Sequence, residues 1–491
     1  MDIRRNPFFL SQILLLSVSS LYAKSVPPPR IAIIGAGVGG TSAAVFLREL
    51  FGEGARVDIY EEDRVGGRAS EITLNGYRHE SGGTIIHPRN QYFVNFTKSL
   101  GLDHEPESDE ILGVYDGKEI VFSTSSCTAV SLVKLFWRYG FDVYNIGKWV
   151  DGLLGKFDRI YEHQRRGLAF TDVEKLLRSM SPTFVQMTKH SIKDWLLKDG
   201  FHERFIDELV HGGLRVNYGQ GTDIHAFVGG VAMAGVEPGL FSVKNGNRQI
   251  PERLLRKSGA ALVPAFVVGI EMRDERKYRL RFQRTDGTKP TKDTSDVYDV
   301  VILAAPVHQR NNMEFHDFPD PIRVGARYHR TVATFVAGKP NPTFADYAVM
   351  ISESADDSVR FTSISRNLPV NFSRADAAYE NDVYKVFSYE PLSDAELGRL
   401  FDERGDGGIV KADWMAYPEY SRQAKLASFV LHDNLYYVNA IESAASAFEM
   451  SMIGAKNVAM LAYNRWIGND DDVDPVFSDD TKDTTNDKSE L

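Results

Sequence analysis

The sequence of 491 residues contains a single cysteine, Cys127. An intrachain disulfide, a dithiol redox centre and a multi-cysteine zinc site are therefore excluded. We expect Cys127 to be buried as a small apolar residue. The 12 histidines show no spacing with carboxylates that is typical of metal ligands, so no metal site is predicted.

The chain also lacks a cluster of basic residues. Its formal net charge is −10, and the region from Gly468 onward contributes 9 acidic residues against 2 lysines. Residues 468–491 are therefore predicted to form a solvated, disordered acidic tail. A nearly neutral body without a basic patch argues against nucleic-acid binding.

Long hydrophobic runs are absent except near the N-terminus. There, Arg4 and Arg5 precede the apolar stretch "FFLSQILLLSVSSL", and Ala23 follows it. This order predicts a secretory signal peptide over residues 1–23. An N-terminal anchor is the alternative, although the run is shorter than the ~20 residues that a spanning helix needs. We expect the mature protein in the lumen of the secretory pathway, with a lysosome or vacuole as the favoured compartment.

Two other features bear on the compartment. The triplets that begin at Asn95 and Asn371 are candidate glycosylation sites. The terminal sequence Lys-Ser-Glu-Leu, residues 488–491, resembles a degenerate retrieval signal of the endoplasmic reticulum. Retention there, or secretion, thus stays open.

A chain of this length is too long for one compact core, since single cores stop growing at roughly 250–300 residues. Segments typical of a nucleotide-binding domain occur at the beginning, middle and end of the chain, interleaved with two inserted stretches. We predict a nucleotide-binding domain from residues 28–127, 222–310 and 430–467, and a substrate domain from residues 128–221 and 311–429.

A glycine-rich turn follows the predicted strand Ile31–Ile34. Gly35, Gly37 and Gly40 satisfy the pattern G-x-G-x-x-G, and a helix is predicted over about residues 39–50. The first glycine permits the tight turn, the second lets a pyrophosphate approach the backbone, and the third allows close packing of helix and strand. The helix N-terminus then offers free N–H groups to phosphates. This arrangement predicts a dinucleotide site.

A second strand is predicted over residues 56–61, and it ends in Glu61. A carboxylate at this position accepts hydrogen bonds from a ribose diol and disfavours the ribose phosphate of NADP. A surface glutamate without a ligand is the alternative. The strand-helix-strand order and Glu61 together favour NAD or FAD.

The segment after Glu61 distinguishes these two cofactors. Arg64, Gly66, Gly67 and Arg68 form the pattern R-x-G-G-R, which resembles a segment of flavoproteins of the amine oxidase and desaturase type. The paired glycines let the chain pass close under the cofactor, and Arg68 is expected to donate charge-assisted hydrogen bonds to the pyrophosphate. FAD is therefore the predicted cofactor.

Three further segments resemble parts of the same flavoproteins. Gly82 and Gly83 lie where such proteins pass a backbone along the flavin ring. Residues 435–461 resemble the closing motif, a strand followed by a helix whose N-terminal amides face the ring, although Met450 stands where glycine is usual. In the middle segment, Val267 is expected to cover the adenine.

Longer stretches carry a closer resemblance. Over roughly residues 30–467 the chain resembles the prenylcysteine oxidases, the group called farnesylcysteine lyases in plants. The stretches that carry this resemblance are "ESGGTIIHPRN", "RVNYGQGTDIHAFVGGVAMAG", "KNGNR", "WMAYPEY", "LHDNLYYVNAIESAASAFEMS" and "AKNVAMLAYNRW".

The resemblance implies an α/β fold, in which a discontinuous Rossmann-type FAD-binding domain of the two-domain amine oxidase and desaturase type carries an inserted α+β substrate domain. It also implies non-covalent FAD and the cleavage of S-farnesyl- or S-geranylgeranylcysteine to a prenyl aldehyde, cysteine and hydrogen peroxide, with molecular oxygen as the final acceptor. An apolar tunnel for the prenyl chain is expected in the aromatic-rich residues 128–220. Because such substrates partition into membranes, peripheral membrane association is left open.

The chemistry needs no strong base. The carbon joined to sulfur is allylic, so hydride loss leaves a cation shared between the sulfur lone pair and the alkene. His87 is a candidate for steering water or the departing thiolate. Tyr218 and Glu442 are further catalytic candidates, because they lie in stretches shared with the family and close to the presumed flavin-facing segments.

Two other functions stay open at this point. A flavin amine oxidase or isoprenoid desaturase would share the cofactor segments and differ only in substrate. A flavin-free carrier of prenyl groups, of the Rab escort and GDP-dissociation-inhibitor type, shares the fold. The complete glycine motifs and the signal sequence argue against the carrier.

Overall fold

The computed structural model describes residues 27–106, 110–274, 277–288, 294–356, 358–372, 382–422 and 425–477. The predicted signal peptide, residues 1–23, lies outside the described residues, and so does the tail from residue 478 onward. No helix among the residues described is long and apolar enough to cross a membrane.

The described part of the chain contains strands of very different length. In chain order they are β1 Arg30–Ile34, β2 Arg56–Glu61, β3 Glu71–Leu74, β4 Tyr77–Glu80, β5 His104–Pro106, β6 Leu112–Tyr115, β7 Ile120–Ser123, β8 Phe241–Val243, β9 Ala261–Asp274, β10 Lys277–Arg284, β11 Thr294–Tyr298, β12 Val300–Leu303, β13 Glu314–His316, β14 Tyr328–Pro340, β15 Ala348–Ile351, β16 Phe361–Arg366, β17 Val383–Ser388, β18 Phe401–Pro418, β19 Val430–His432 and β20 Leu435–Tyr437.

Most of the helices lie between residues 91 and 258. They are α1 Val38–Phe51, α2 Gln91–Ser99, α3 Thr128–Tyr139, α4 Asp142–Phe157, α5 Arg159–Arg165, α6 Val173–Met180, α7 Pro182–Met187, α8 Ile192–Lys198, α9 Glu203–Phe205, α10 His211–Tyr218, α11 Ala226–Ala234, α12 Gln249–Ser258, α13 Asp394–Leu400 and α14 Phe448–Ile467. A π-helical segment, Ile206–Val210, joins α9 to α10, and a 3₁₀ segment, Val438–Ser443, precedes α14.

The larger sheet has the strand order β11-β10-β9-β2-β1-β12-β20-β19, with β13 paired to β9. Its five central strands, β9, β2, β1, β12 and β20, run parallel to one another. Helices α12 and α14 pack against α1 beside this sheet. The parallel strands β1 and β12 are almost completely buried, as expected where helices cover both faces. The predicted Rossmann-type unit is confirmed, and β2 has the predicted bounds.

The second sheet has seven strands in the order β18-β14-β17-β16-β15-β6-β7. Strand β6 pairs in parallel with β15, and β7 pairs with β6. Both β6 and β7 lie within residues 28–127, which we predicted to belong to the nucleotide-binding domain. The predicted end of this part of the nucleotide-binding domain at residue 127 is therefore wrong. The chain enters the second sheet at Leu112, because β6 forms backbone hydrogen bonds with β15 and β7 forms them with β6.

The helical insert departs from the sequence prediction at its first helix. Phe136 and Trp137 belong to the aromatic-rich stretch in which an apolar tunnel was expected, yet they are 53% and 85% exposed. Cys127 precedes the same helix and is exposed instead of buried. On the opposite face of α3, Tyr139 is buried at 4% exposure and Leu135 is half-buried. Among the described residues, helix α3 therefore lies on the surface with part of its apolar side uncovered.

Candidate active site

A cavity of about 1150 Å³ extends from the glycine-rich turn after β1 to the seven-stranded sheet. Its walls come from both sheets, from α4 and α10, and from the start of α14. A volume of this size exceeds what one drug-sized ligand needs, roughly 300–1,000 Å³. The cavity can therefore hold an extended dinucleotide and a second molecule.

The glycine-rich turn has the geometry of a phosphate site. Gly35 has φ +102°, and a Cβ on Gly40 would lie 1.9 Å from the Gly35 carbonyl oxygen, so neither position accepts a side chain. Gly37 is open toward the cavity, because the nearest atom to a Cβ there is the Gly66 carbonyl oxygen at 3.9 Å. Helix α1 begins at Val38 without a side-chain cap and leaves its first N–H groups for an anion.

Glu61 lies at the end of β2 and lines the cavity. Its Oε2 accepts a hydrogen bond from the Ala36 N–H at 2.8 Å, and Oε1 accepts one from the Asp63 N–H at 3.1 Å. These bonds hold the carboxylate beside the glycine-rich turn. This position suits the ribose diol of a dinucleotide.

The two glycine pairs approach other backbone segments closely. Gly66 and Gly67 have φ +125° and +55°, and the Gly66 N–H donates to the Ala36 carbonyl at 3.0 Å. A Cβ on Gly82 would lie 1.8 Å from the Arg68 carbonyl oxygen, and one on Gly83 would lie 2.8 Å from the Phe448 ring. All four glycines line the cavity. Their contact with a flavin stays a prediction.

The N-terminus of α14 faces the cavity through residues 447–451. No side chain caps this helix of 20 residues, so its amides and the positive end of its dipole are directed toward the cavity. Met450 is 3% exposed and lines the cavity at the position where related flavoproteins carry glycine. The helix N-terminus can therefore stabilise negative charge on a bound ring.

Glu449, the residue before Met450, forms its hydrogen bonds with other parts of the protein. Glu449 accepts hydrogen bonds from the Tyr92 and Phe93 N–H groups at 2.8 and 3.0 Å and from the Tyr161 hydroxyl at 2.8 Å. Burial raises the pKa of Glu449 to about 7, although these hydrogen bonds favour its ionised form. Glu449 joins α14 to the start of α2.

These elements fit FAD. The open backbone at Gly37 suits the pyrophosphate, Glu61 suits the ribose, and the two glycine pairs leave room for a flat ring beside the α14 amides. No cluster of His, Cys, Asp and Glu that could hold a metal ion occurs among the residues described.

Arg68 lines the cavity, and its guanidinium binds a carboxylate. Its Nη1 donates to the Glu442 Oε2 at 3.1 Å and to the Ala416 carbonyl at 2.6 Å, and its Nη2 donates to the Glu442 Oε1. Burial opposes the charge, but the Glu442 carboxylate outweighs burial and raises the pKa of Arg68. The guanidinium is thus engaged by Glu442, and a hydrogen bond from it to the pyrophosphate stays a prediction.

Glu442 is a positioning residue in this arrangement. It is 0% exposed. Besides both Arg68 bonds, it accepts a hydrogen bond from the Tyr328 hydroxyl at 2.8 Å and one from the Asn439 amide at 2.5 Å. A carboxylate that is saturated by four donors cannot approach a substrate proton, so the geometry does not support the catalytic role that we expected.

Tyr218 lies at the end of α10 and lines the cavity. Its hydroxyl donates to the Ser446 carbonyl at 2.9 Å, and this bond joins α10 to the segment before α14. Burial, followed by the neighbouring Tyr417 and Glu442, raises the pKa of Tyr218. The phenol therefore stays protonated, and its catalytic role remains a prediction.

His87 uses both ring nitrogens within the protein. Nδ1 accepts a hydrogen bond from the Arg89 N–H at 3.1 Å, so Nε2 carries the hydrogen and donates to Glu237 at 3.0 Å. The ring lines the cavity. In this tautomer His87 holds the turn after Gly83, and steering of water stays a prediction.

The position of Val267 differs from the expectation. Val267 is buried within β9, opposite Phe282 of β10, and it is not among the residues that line the cavity. The residue of β9 that lies beside Glu61 is Pro264. The register of β9 on β2 therefore moves Val267 beyond the nucleotide end of the cavity.

Two contributors escaped the sequence analysis. Asn247 is fully buried, and its amide donates to the Gly83 and Thr84 carbonyls at 3.1 and 2.8 Å, which holds the second glycine pair in place. The seven-stranded sheet supplies a wall through residues 362–366, 387–389 and 411–417. The tunnel expected in residues 128–220 is thus formed only in part by that insert.

The comparisons with known proteins agree with this site. A family model described as prenylcysteine lyase matches residues 122–475, and one described as an NAD(P)-binding Rossmann-like domain matches residues 33–100. Prenylcysteine oxidase 1 of Mus musculus is 37% identical over 484 residues, 94% of each chain. The Homo sapiens protein of that name is 38% identical over 91% of each chain. Prenylcysteine oxidase 1-like of Homo sapiens is 34% identical over 95% of this chain and 96% of its own.

Solved structures share the fold at low sequence identity. Cyclohexylamine oxidase from Brevibacterium oxydans has a TM-score of 0.56 at 14% identity, over 89% of this chain and 99% of its own. Putrescine oxidase bound to putrescine has a TM-score of 0.53 at 16% identity, over 88% and 98%. The fold, the cofactor site and the family match agree: this protein is an FAD-dependent oxidoreductase and belongs to the prenylcysteine lyase family.

Proposed function

We propose that this protein is a prenylcysteine oxidase that cleaves S-farnesyl- or S-geranylgeranyl-L-cysteine. The thioether, water and oxygen give the prenyl aldehyde, cysteine and hydrogen peroxide, which balances atoms and electrons. The observation that carries the proposal is the continuity of one cavity, which joins the FAD-binding turn to an apolar wall on the second sheet. The relatives named prenylcysteine oxidase 1 support the same substrate class.

The protein residues bind, orient and exclude water. When bound, FAD accepts the hydride from the allylic carbon that is attached to sulfur. Because that carbon needs no base, the fully engaged hydrogen bonds of Glu442 and Tyr218 are compatible with the reaction. The α14 amides are placed to stabilise negative charge in the transition state.

The cavity offers an apolar surface to the prenyl chain. Each buried methylene-sized group contributes about 0.8 kcal/mol, so a chain of isoprene units binds through hydrophobic burial. The apolar residues that line the cavity include Leu154, Phe157, Val216, Val231, Val236, Leu240, Met350, Ile364, Phe387 and Trp414. They come from α4, α10, α11, the segment between α11 and β8, and the seven-stranded sheet.

The test is peroxide release by the purified protein with S-farnesylcysteine, S-geranylgeranylcysteine and an aliphatic amine, run beside an absorbance spectrum. We expect a yellow, flavin-containing protein that forms peroxide with at least one thioether. A flavin-containing protein that oxidises only the amine would show an amine oxidase. A colourless protein that binds the thioether would show a carrier.

We also propose that the protein acts in an acidic lumen, with a lysosome or vacuole favoured. The signal-like residues 1–23 support this compartment. Asn95 lies exposed on α2, where a glycan has room. The raised pKa of Glu449, about 7, favours a folded protein at acid pH. Immunolocalisation with an organelle marker tests the proposal, and a cytosolic distribution would contradict it.

We further propose that the protein associates peripherally with membranes through an exposed apolar surface on α3 and the residues that follow it. Between Ile120 and Val150 the charged residues are Lys134, Arg138, Asp142 and Lys148, and the aspartate is buried. Arg138 is paired with Glu208, so Lys134 and Lys148 supply the positive charge of this segment on a chain of net charge −10. The exposed apolar residues that form the α3 patch are Val130, Leu132, Val133, Phe136, Trp137, Phe141 and Tyr144.

The composition of the α3 patch favours a lipid surface as its partner. An aromatic and aliphatic face beside lysines is typical of helices that lie in the membrane interface. The Lys148 Nζ lies 4.5 Å from the centre of the Tyr144 ring, with its charge at the edge of the apolar face. A bilayer is also where a prenylated cysteine partitions. The proposal thus gives the substrate a short path to the cavity.

A further inference from the structure

Arg215 is a cation in the cavity wall that has no partner of opposite charge among the residues that the structure describes. It lies on α10 and lines the cavity. Its Nε–H is buried and donates to no acceptor, and within the described residues its guanidinium forms no ion pair. Other arginines that line the cavity are paired: Arg64 with Asp63, Arg68 with Glu442, Arg89 with Asp158 and Arg366 with Asp382.

Through Tyr389, a cluster of aromatic rings lies against this guanidinium. Its central carbon lies 5.2 Å from the centre of the Tyr389 ring. Tyr389 packs edge-on against His329 at 5.1 Å, and His329 stacks on Tyr417 at 5.7 Å. Burial, with the charge of Arg215, lowers the pKa of His329 to about 4, so this histidine is neutral. Arg215 therefore supplies the positive charge of the group.

A half-buried guanidinium with a free edge favours an anionic ligand. Leaving a cation desolvated without a counter-charge is costly, and the planar guanidinium matches a carboxylate through paired hydrogen bonds. The prenyl end of the substrate offers no charge. The cysteine end carries an α-carboxylate, which is the anion that the cavity would meet.

The position of Arg215 fits the size of the cysteine end. Tyr218 follows on the same face of α10, one turn away or about 5 Å, and its hydroxyl binds the Ser446 carbonyl just before α14. In an S-prenylcysteine only a few bonds separate the carboxylate from the sulfur. A carboxylate held by Arg215 therefore keeps the sulfur end close to the α14 N-terminus and leaves the apolar wall for the chain.

We propose that Arg215 binds the α-carboxylate of the substrate and so selects free prenylcysteine over its esters and over prenylated peptides. This inference rests on the proposed function. It assigns Arg215 to specificity, because hydride transfer occurs at a carbon that Arg215 does not contact. Neutral esters of the same chain length are expected to enter the cavity and bind weakly.

The experiment compares S-farnesylcysteine with its methyl ester on wild type, Arg215→Gln and Arg215→Lys. The control is Arg204→Gln, an exposed arginine on α9. Wild type should favour the acid by about 10- to 100-fold in kcat/KM. Arg215→Gln should lose that preference mainly through KM, Arg215→Lys should keep part of it, and the ester should react equally with all four proteins.

A second readout separates this inference from the proposed function. Titration of the bound flavin absorbance with each compound gives Kd without turnover, and we expect the same acid preference there. Equal losses for acid and ester in Arg215→Gln, or equal binding of both by wild type, would overturn the inference. Acid-selective binding without peroxide would contradict the proposed function and retain the role of Arg215.

Discussion

Arg68 and Glu442, which are 374 residues apart in the chain, form a bidentate ion pair beside the cavity. The pair joins the R-x-G-G-R segment to the 3₁₀ segment before α14. Tyr328 from the seven-stranded sheet donates to the same carboxylate. The buried Glu442 carboxylate therefore joins two separate segments of the FAD site to the second sheet.

Replacing Glu442 by Gln should destabilise the protein by about 3 kcal/mol, because Arg68 would keep a desolvated charge without a counter-ion. Urea unfolding followed by fluorescence measures this change. The double variant Arg68→Met with Glu442→Met should be less destabilised than the sum of the single variants. Additive losses would show that the two residues do not act as a pair.

Replacing Gly40 by Ala should abolish FAD retention and lower stability, because the new methyl group would lie 1.9 Å from the Gly35 carbonyl oxygen. Flavin absorbance per protein after gel filtration measures the retention. The matched control is Gly398→Ala in α13, where a Cβ meets nothing within 4 Å. That control should gain about 0.5–1 kcal/mol. Normal flavin content in Gly40→Ala would contradict the turn geometry.

Stability should fall as the pH rises from about 4.5 to about 7. Burial raises the pKa of Glu449 from 4.5 to about 7, so in this window the folded protein holds a proton that the unfolded chain has lost. Ionising the buried group then costs at most about 3 kcal/mol. Urea midpoints at pH 5 and pH 7 measure the slope.

The variant Glu449→Gln identifies the source of that slope. An amide does not titrate, so the variant should be less sensitive to pH than wild type over the same window. Glu80 also contributes, because burial raises its pKa to about 7. An unchanged slope in Glu449→Gln would assign the pH dependence to Glu80 or to other groups.

The variants Trp137→Ala and Phe141→Ala should weaken binding to vesicles that contain phosphatidylserine. The two side chains are 85% and 68% exposed, so their loss removes apolar surface that is free to enter the interface. Vesicle sedimentation measures the effect, which we expect to be about tenfold or more for the pair. Leu262→Ala is the control, since Leu262 is 44% exposed and lies on β9. Equal binding by all variants would contradict the membrane role.

A dimer is the other outcome of that experiment. If the α3 patch joins two copies of this chain, the Trp137 and Phe141 variants should shift the mass measured by light scattering without altering vesicle binding. Such a result would contradict the membrane proposal and assign the patch to self-association.

The backbone of the cofactor site could be predicted from the sequence, because local steric constraints require glycine there. Gly35, Gly40 and the two glycine pairs occupy places where a Cβ would collide with a neighbouring backbone or where φ is positive. Those constraints act over a few residues, so they leave a recognisable pattern. The strand Ile31–Ile34 was predicted for a similar reason, since short apolar runs rich in β-branched residues mark buried parallel strands.

Partners of charged and aromatic side chains were decided by the tertiary structure. Arg68 and Arg215 are both cavity arginines near conspicuous motifs, yet one meets Glu442 and the other meets no carboxylate among the described residues. Likewise Trp137 has the residue type of a core position and lies exposed, because no element in the described part of the chain covers that side of α3. Backbone conformation depends on neighbours in the chain, whereas charge pairing and burial depend on segments that folding brings together from hundreds of residues away.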